Sequence, residues 1–96
     1  SYAVAIGHRA KVTGSTSTAM GYEALAAGAG ATAIGRSAGA SADYSMALGH
    51  NAKANAASSV AIGHGSVAAV ANTVSVGSAS QQRKIVNVAD GTLNAA

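Results

Sequence analysis

Along most of the chain, large apolar and small side chains alternate with period two, and each short alternating run ends in glycine. The runs are Val4-Ala5-Ile6-Gly7, Thr18-Ala19-Met20-Gly21, Thr32-Ala33-Ile34-Gly35, Met46-Ala47-Leu48-Gly49, Val60-Ala61-Ile62-Gly63 and Val74-Ser75-Val76-Gly77. The step between them is 14 residues, without insertion. Three residues after each glycine comes a small residue: Ala10, Ala24, Ala38, Ala52, Ser66 or Ser80. Two further on stands Val12, Ala26, Ala40, Ala54 or Ala68, until Gln82 breaks the series. Period-two alternation and β-branched residues predict strands rather than helices. The recurrent Gly7, Gly21, Gly35, Gly49, Gly63 and Gly77 suit a bend that needs positive φ, or a close backbone approach.

A 14-residue unit holds two short strands and two turns. Stacking such units in parallel predicts a β-solenoid with coils about 4.8 Å apart. A two-strand coil is a flattened tube, and only small side chains fit inside it. The central Ala or Ser of each run, and the Ala-rich second strand, are therefore placed inside. Alternation then puts Val4, Ile6, Met20, Ile34, Met46, Leu48, Val60, Ile62, Val74 and Val76 on the outer face. Such a stripe is unsuited to a soluble monomer. Self-association in closed rotational symmetry would bury it around an axis.

Composition fits this picture. Of the 96 residues 26 are Ala, and Ala, Gly and Ser together make 50, so large core-filling side chains are scarce. There is no Phe, Trp, Pro or Cys, which excludes disulfides, thiolate zinc sites and cysteine nucleophiles. The net charge of +3 rests on few charged groups and favours polyanionic partners only weakly. It is far from the dense basic patch of a nucleic-acid binder, so no nucleic-acid partner is expected. Ser1-Tyr2-Ala3-Val4 does not read as a signal peptide. No window predicts a membrane-spanning helix. The chain reads as a piece of something larger.

From Ser80 the pattern changes. Gln81, Gln82, Arg83 and Lys84 lead into Ile85-Val86-Asn87-Val88-Ala89-Asp90-Gly91. A repeat protein needs an atypical end, so a capping segment is the simplest reading. The repeats, especially Ser59–Gly63 and Asn72–Gly77, resemble the head repeats of trimeric autotransporter adhesins of the YadA type. The tail resembles that family's neck motif, R-x-I-x-N-V-A-x-G, at Arg83, Ile85, Asn87, Val88, Ala89 and Gly91. Departures are modest: Thr18 and Thr32 replace the usual Val, and Ser75 replaces Ala.

The resemblance implies an all-β, left-handed parallel β-roll in a homotrimer. Residues 1–79 would be the head and 80–96 the neck, leading toward a coiled-coil stalk. It also implies a bacterial cell-surface location, with an outer-membrane anchor C-terminal of this segment. The implied partners are the chain itself and host extracellular-matrix or cell-surface molecules, collagen-like proteins among them. Autoaggregation between cells is a further implication, and a spacer that presents another adhesive domain is the alternative. Arg83 is expected to hydrogen-bond across the subunit interface.

No catalytic constellation stands out. The carboxylates are Glu23, Asp43 and Asp90, and none pairs with another at acid–base spacing. The chain is not expected to be an enzyme or to carry a cofactor or resident metal. A six-residue acyltransferase period and the G-G-x-G-x-D calcium repeat are both absent. An ice-binding solenoid would need a regular threonine ladder, whereas Thr13, Thr16, Thr18 and Thr32 are scattered over different repeat slots. The slot after the turn glycine is the candidate ligand contact. It holds His8, Tyr22, Arg36, His50 and His64, then Ser78. His50 and His64 would stack about 5 Å apart. Two stacked histidines without a nearby carboxylate make a poor zinc site, and a tolerant wet turn slot is the plainer reading.

Overall fold

The computed structural model describes residues 2–93, so the end of the expected neck, 94–96, lies outside the described residues. The chain winds through two sheets of parallel strands. One contains β1 (Val4–Ile6), β3 (Thr18–Met20), β5 (Thr32–Ile34), β7 (Met46–Leu48), β9 (Val60–Ile62) and β11 (Val74–Ser75), stacked in that order. The other contains β2 (Lys11–Val12), β4 (Leu25–Ala26), β6 (Gly39–Ala40), β8 (Lys53–Ala54) and β10 (Val67–Ala68). Every pairing joins equivalent repeat positions, such as Ala19 with Ala33 and Ala33 with Ala47. The architecture is thus a parallel β-solenoid with one repeat per coil.

The hydrogen-bond ladder does not stop at the strand ends. Gly35 N–H donates to Met20 O and Ser37 N–H to Tyr22 O, and the same two bonds recur one coil on, at Gly49 and Asn51. Turns therefore stack as strands do. Two features of the backbone make this possible. Gly7, Gly21, Gly35, Gly49 and Gly63 have φ between 109° and 130°, as their recurrence predicts. An added Cβ at Gly35 would come within 2.7 Å of the Gly49 carbonyl carbon, so both the angle and the space require glycine. The second feature is a left-handed residue in each turn. One edge has Arg9, Glu23, Ser37, Asn51 and Gly65 there, and the other has Thr16, Gly30, Tyr44, Ser58 and Asn72. The residue types in these columns follow no shared pattern. Asn51, Asn72, Gly30 and Gly65 are their only residues with a strong preference for that conformation.

The fully buried interior holds alanine and serine, and Val12 packs half-buried against it in the first coil. Ala19, Ala33, Ala47 and Ala61 line one wall, and Ala26, Ala40, Ala54 and Ala68 the other, all fully or almost fully buried. Ala24, Ala38, Ala52 and Ser66 close one side, as expected. The opposite side is closed by a column the sequence reading had left unplaced: Ser17, Ala31, Ser45 and Ser59. Their hydroxyls are satisfied locally. Ser17 Oγ donates to Gly28 O at 2.7 Å, Ser45 Oγ to Ala42 O at 2.6 Å and Ser59 Oγ to Ala56 O at 2.7 Å. No buried side-chain nitrogen or oxygen among the described residues lacks a partner.

The sixth repeat differs from the expectation of a full coil. It contributes only β11 and then leaves the roll. In preceding coils the strand opposite begins by donating to the repeat's small residue, as Lys53 N–H does to Ser66 O. Val67 N–H instead reaches Gly77 O at 3.0 Å, so the last coil is short-circuited. Ser78 and Gln81 then form an isolated antiparallel bridge. Gly77 is accordingly not a turn glycine of the repeat type, because its φ is not in the left-handed region. Its lack of a side chain serves a close approach, with Gln81 O only 2.3 Å from where a Cβ would sit.

Two substitutions test this architecture. Ala47→Leu forces four heavy atoms' worth of side chain into a filled lumen. It is expected to cost about 1–3 kcal/mol, lowering Tm by about 4–24 °C. Met46→Leu, one residue away on the outside, is expected to leave the melt nearly unchanged. Thermal melts followed by circular dichroism check both, and equal effects would overturn the inside–outside assignment.

Candidate functional site

The outer surface offers two unlike faces and two edges. The first sheet presents two columns of side chains outward. One is Val4, Thr18, Thr32, Met46, Val60 and Val74, and the other is Ile6, Met20, Ile34, Leu48 and Ile62, while Val76 of the expected stripe lies just beyond β11, half-buried beside the terminal groove. They are exposed or half-buried although mostly aliphatic: Ile6 is 55%, Ile62 41% and Ile34 38% accessible. The alternation that sends alanine inward makes this unavoidable. The expected stripe is therefore outside the tube, running unbroken down the second column. The other sheet shows a wetter face of Lys11, Leu25, Gly39, Lys53 and Val67, beside Thr13, Ala27, Ser41, Asn55 and Ala69. There Lys53 lies across Gly39 and donates through Nζ to Ser37 O.

Along the edge formed by the turn glycines, the residues after them stack as a ladder. The rings of His8 and Tyr22 are 5.4 Å apart and nearly parallel. The Arg36 guanidinium sits 5.5 Å from the Tyr22 ring centre. The rings of His50 and His64 are 4.9 Å apart with an interplanar angle of 3°. This matches the spacing expected from the coil repeat. All five side chains are exposed, so the ladder is a polar and aromatic rail rather than a pocket. No group of three or more potential metal ligands converges among the described residues.

The carboxylates are dispersed. Glu23 lies 3.6 Å from Arg9 in an exposed pair, an interaction worth little in water. Asp43 Oδ1 accepts the Ala29 N–H at 3.0 Å on the opposite edge. No described site brings a nucleophile, a base and an oxyanion donor together.

The C-terminal end is tied down by one residue. Arg83 donates to Ser66 Oγ at 3.0 Å, to Val76 O at 2.9 Å and to His64 O at 2.6 Å. Two of these bonds satisfy the carbonyls of His64 and Val76 at the open end of the roll, and the third goes to the Ser66 hydroxyl. An open groove lies beside it, lined by Val67, Val76, Gly77, Gln82 and Arg83. Beyond Arg83 the motif residues Ile85, Asn87, Val88, Ala89 and Gly91 follow on an irregular, exposed segment.

The fold, with one 14-residue repeat per coil, puts the chain in the class of parallel β-solenoid repeat proteins. Comparison with known proteins narrows this. The model of the YadA head domain repeat (2 copies) matches residues 1–24, 13–38, 26–52, 40–66 and 54–80. The chain belongs to that family, the head of YadA-type trimeric autotransporter adhesins. It is similar to the crystal structure of the collagen-binding domain of Yersinia adhesin YadA, with 30% identity and a TM-score of 0.53. The match covers 97% of this chain and 68% of that one. No curated protein sequence matches. Family and fold are those of an adhesin, not an enzyme.

Arg83→Ala removes three bonds from a cationic donor and opens the end of the roll. Bonds to charged groups contribute about 1.5–3 kcal/mol each, partly redundant here, so Tm is expected to fall by at least several degrees. Arg83→Lys should recover only part, because an ammonium lacks the planar fork. An unchanged melt would remove Arg83 from this role.

Proposed function

We propose that this chain is the head of a homotrimeric surface adhesin that attaches bacteria to extracellular matrix by many weak, repeated contacts. The observation that carries the reading is the aliphatic stripe on the first sheet. Val4, Ile6, Met20, Ile34, Met46, Leu48, Val60, Ile62, Val74 and Val76 lie outside the tube, and each is worth about 1.5–3 kcal/mol when fully buried. Three chains around an axis parallel to the coil stack bury the stripe and leave the wetter sheet outside. In this reading residues 1–79 form the head. Residues 80–96 form the neck toward a stalk and an outer-membrane anchor.

The ligand class proposed is a repetitive matrix protein such as collagen, in keeping with the collagen-binding domain to which the chain is similar. Identical coils on a stiff scaffold gain by avidity what single contacts lack. The rail of His8, Tyr22, Arg36, His50 and His64 is the proposed contact, since it is exposed and repeats with the coils. The spacer reading rests on the absence of any enclosed ligand pocket on the rail.

Light scattering at several concentrations is expected to give three times the 9.1 kDa chain mass. Ile34→Asp should shift this to monomer while the β spectrum is retained. A folded wild-type monomer would overturn the trimer. Binding to immobilised collagen is expected to fall at least several-fold when His8, His50 and His64 are replaced together by Ala. Undiminished binding would reject the rail, and no binding at all by a trimeric wild type would favour the spacer.

A further inference from the structure

The proposed trimer has a consequence at the corners that the stripe does not require. In a three-fold ring of flat tubes, each chain's glycine-turn edge meets the other edge of its neighbour. Rotation about an axis parallel to the coil stack preserves height, so residues meet according to their level in the roll. The two edges differ in charge. The glycine-turn edge carries Arg9, paired with Glu23, then Arg36 and the histidines. The other edge is Ser15-Thr16, Ala29-Gly30, Asp43-Tyr44, Ala57-Ser58 and Ala71-Asn72, so Asp43 is its one charged residue.

The level of Asp43 can be placed. A coil rises one spacing in 14 residues, and Arg36 stands midway in sequence between Ala29 and Asp43. It therefore stands midway in height between those two turns. The Asp43 carboxylate does not stay at its own turn. Its Oδ1 accepts the Ala29 N–H at 3.0 Å, which holds the carboxylate between the two levels. Its second oxygen makes no hydrogen bond or ion pair among the described residues. Across the edge, Arg36 lies 5.5 Å from the Tyr22 ring centre, which holds the guanidinium at the rim without using its N–H groups.

We propose that Arg36 of each chain pairs with Asp43 of the next, so that three identical ion pairs at one level set the rotational register of the trimer. The proposal rests on the homotrimer reading above. It assigns Arg36 to an intersubunit corner rather than to the ligand contact, and leaves His8, His50 and His64 as that contact.

Crosslinking tests it, because the chain has no cysteine. Arg36→Cys with Asp43→Cys should give, on diamide oxidation, a covalent trimer on non-reducing gels. The two positions sit on opposite edges of one tube, so they are not placed to close a bond within a chain. Arg36→Cys with Ala57→Cys, a full coil out of level, should give at least tenfold less. A complementary series follows charge. Arg36→Glu and Asp43→Lys should each lower the trimer's dissociation temperature, and R36E with D43K together should restore most of the loss. A trimer by light scattering that neither crosslinks at 36 and 43 nor shows charge rescue would overturn the pair and leave the trimer standing. A folded monomer by light scattering would overturn both.

Discussion

The width of the tube is the constraint on which everything else depends. Two sheets are joined by turns so short that their inner faces admit a methyl or hydroxymethyl group and little more. Packing of this kind brings little hydrophobic gain per residue, because an alanine removes one carbon from water. It also fixes almost no rotamers, since alanine has none to lose. The fold is therefore carried by an unusually continuous backbone ladder, which runs through turns as well as strands. Serine enters the lumen where its hydroxyl reaches a carbonyl of its own turn, as Ser45 and Ser59 do, or of the next coil, as Ser17 does.

The same constraint accounts for the surface. Strand geometry sends alternate residues outward, so filling the lumen with alanine leaves the larger aliphatics nowhere else to go. A globular domain would have buried Ile34 and Leu48 within the chain. Here they form the outside of one sheet, and the chain leaves its largest aliphatic side chains uncovered by its own fold. Beside that stripe the chain presents a wetter sheet and two edges whose backbones stack from coil to coil.

Much of this was legible in the sequence because the repeat is rigid. Phase, alternation and recurrent glycine are enough to place Ala19, Ala33, Ala47 and Ala61 inside and the aliphatics outside. The spacing of His50 and His64 follows from the coil rise alone. The column of Ser17, Ala31, Ser45 and Ser59 escaped because serine carries no hydrophobic signal, although the alternation, continued one residue further, reaches it. The left-handed columns escaped for another reason. Arg9, Glu23 and Tyr44 have no local preference for positive φ and are held there by the stack. Gly77 shows the limit of phase itself. It sits in register with its predecessors and does a different job, because the next coil is absent.

One feature of the ladder bears on how such a molecule can change size. Each coil bonds to the next through equivalent atoms, and no side chain in the lumen spans more than its own layer and its neighbours. A duplicated or deleted whole unit therefore lengthens or shortens the rod by about 4.8 Å and leaves both faces and both edges in line. An insertion of another length must loop out at a turn, because one wound into the coil would bring polar turn residues into the lumen and alanines to the surface. The architecture is in effect quantised: its reach is adjustable only in steps, and each step conserves the pattern it extends.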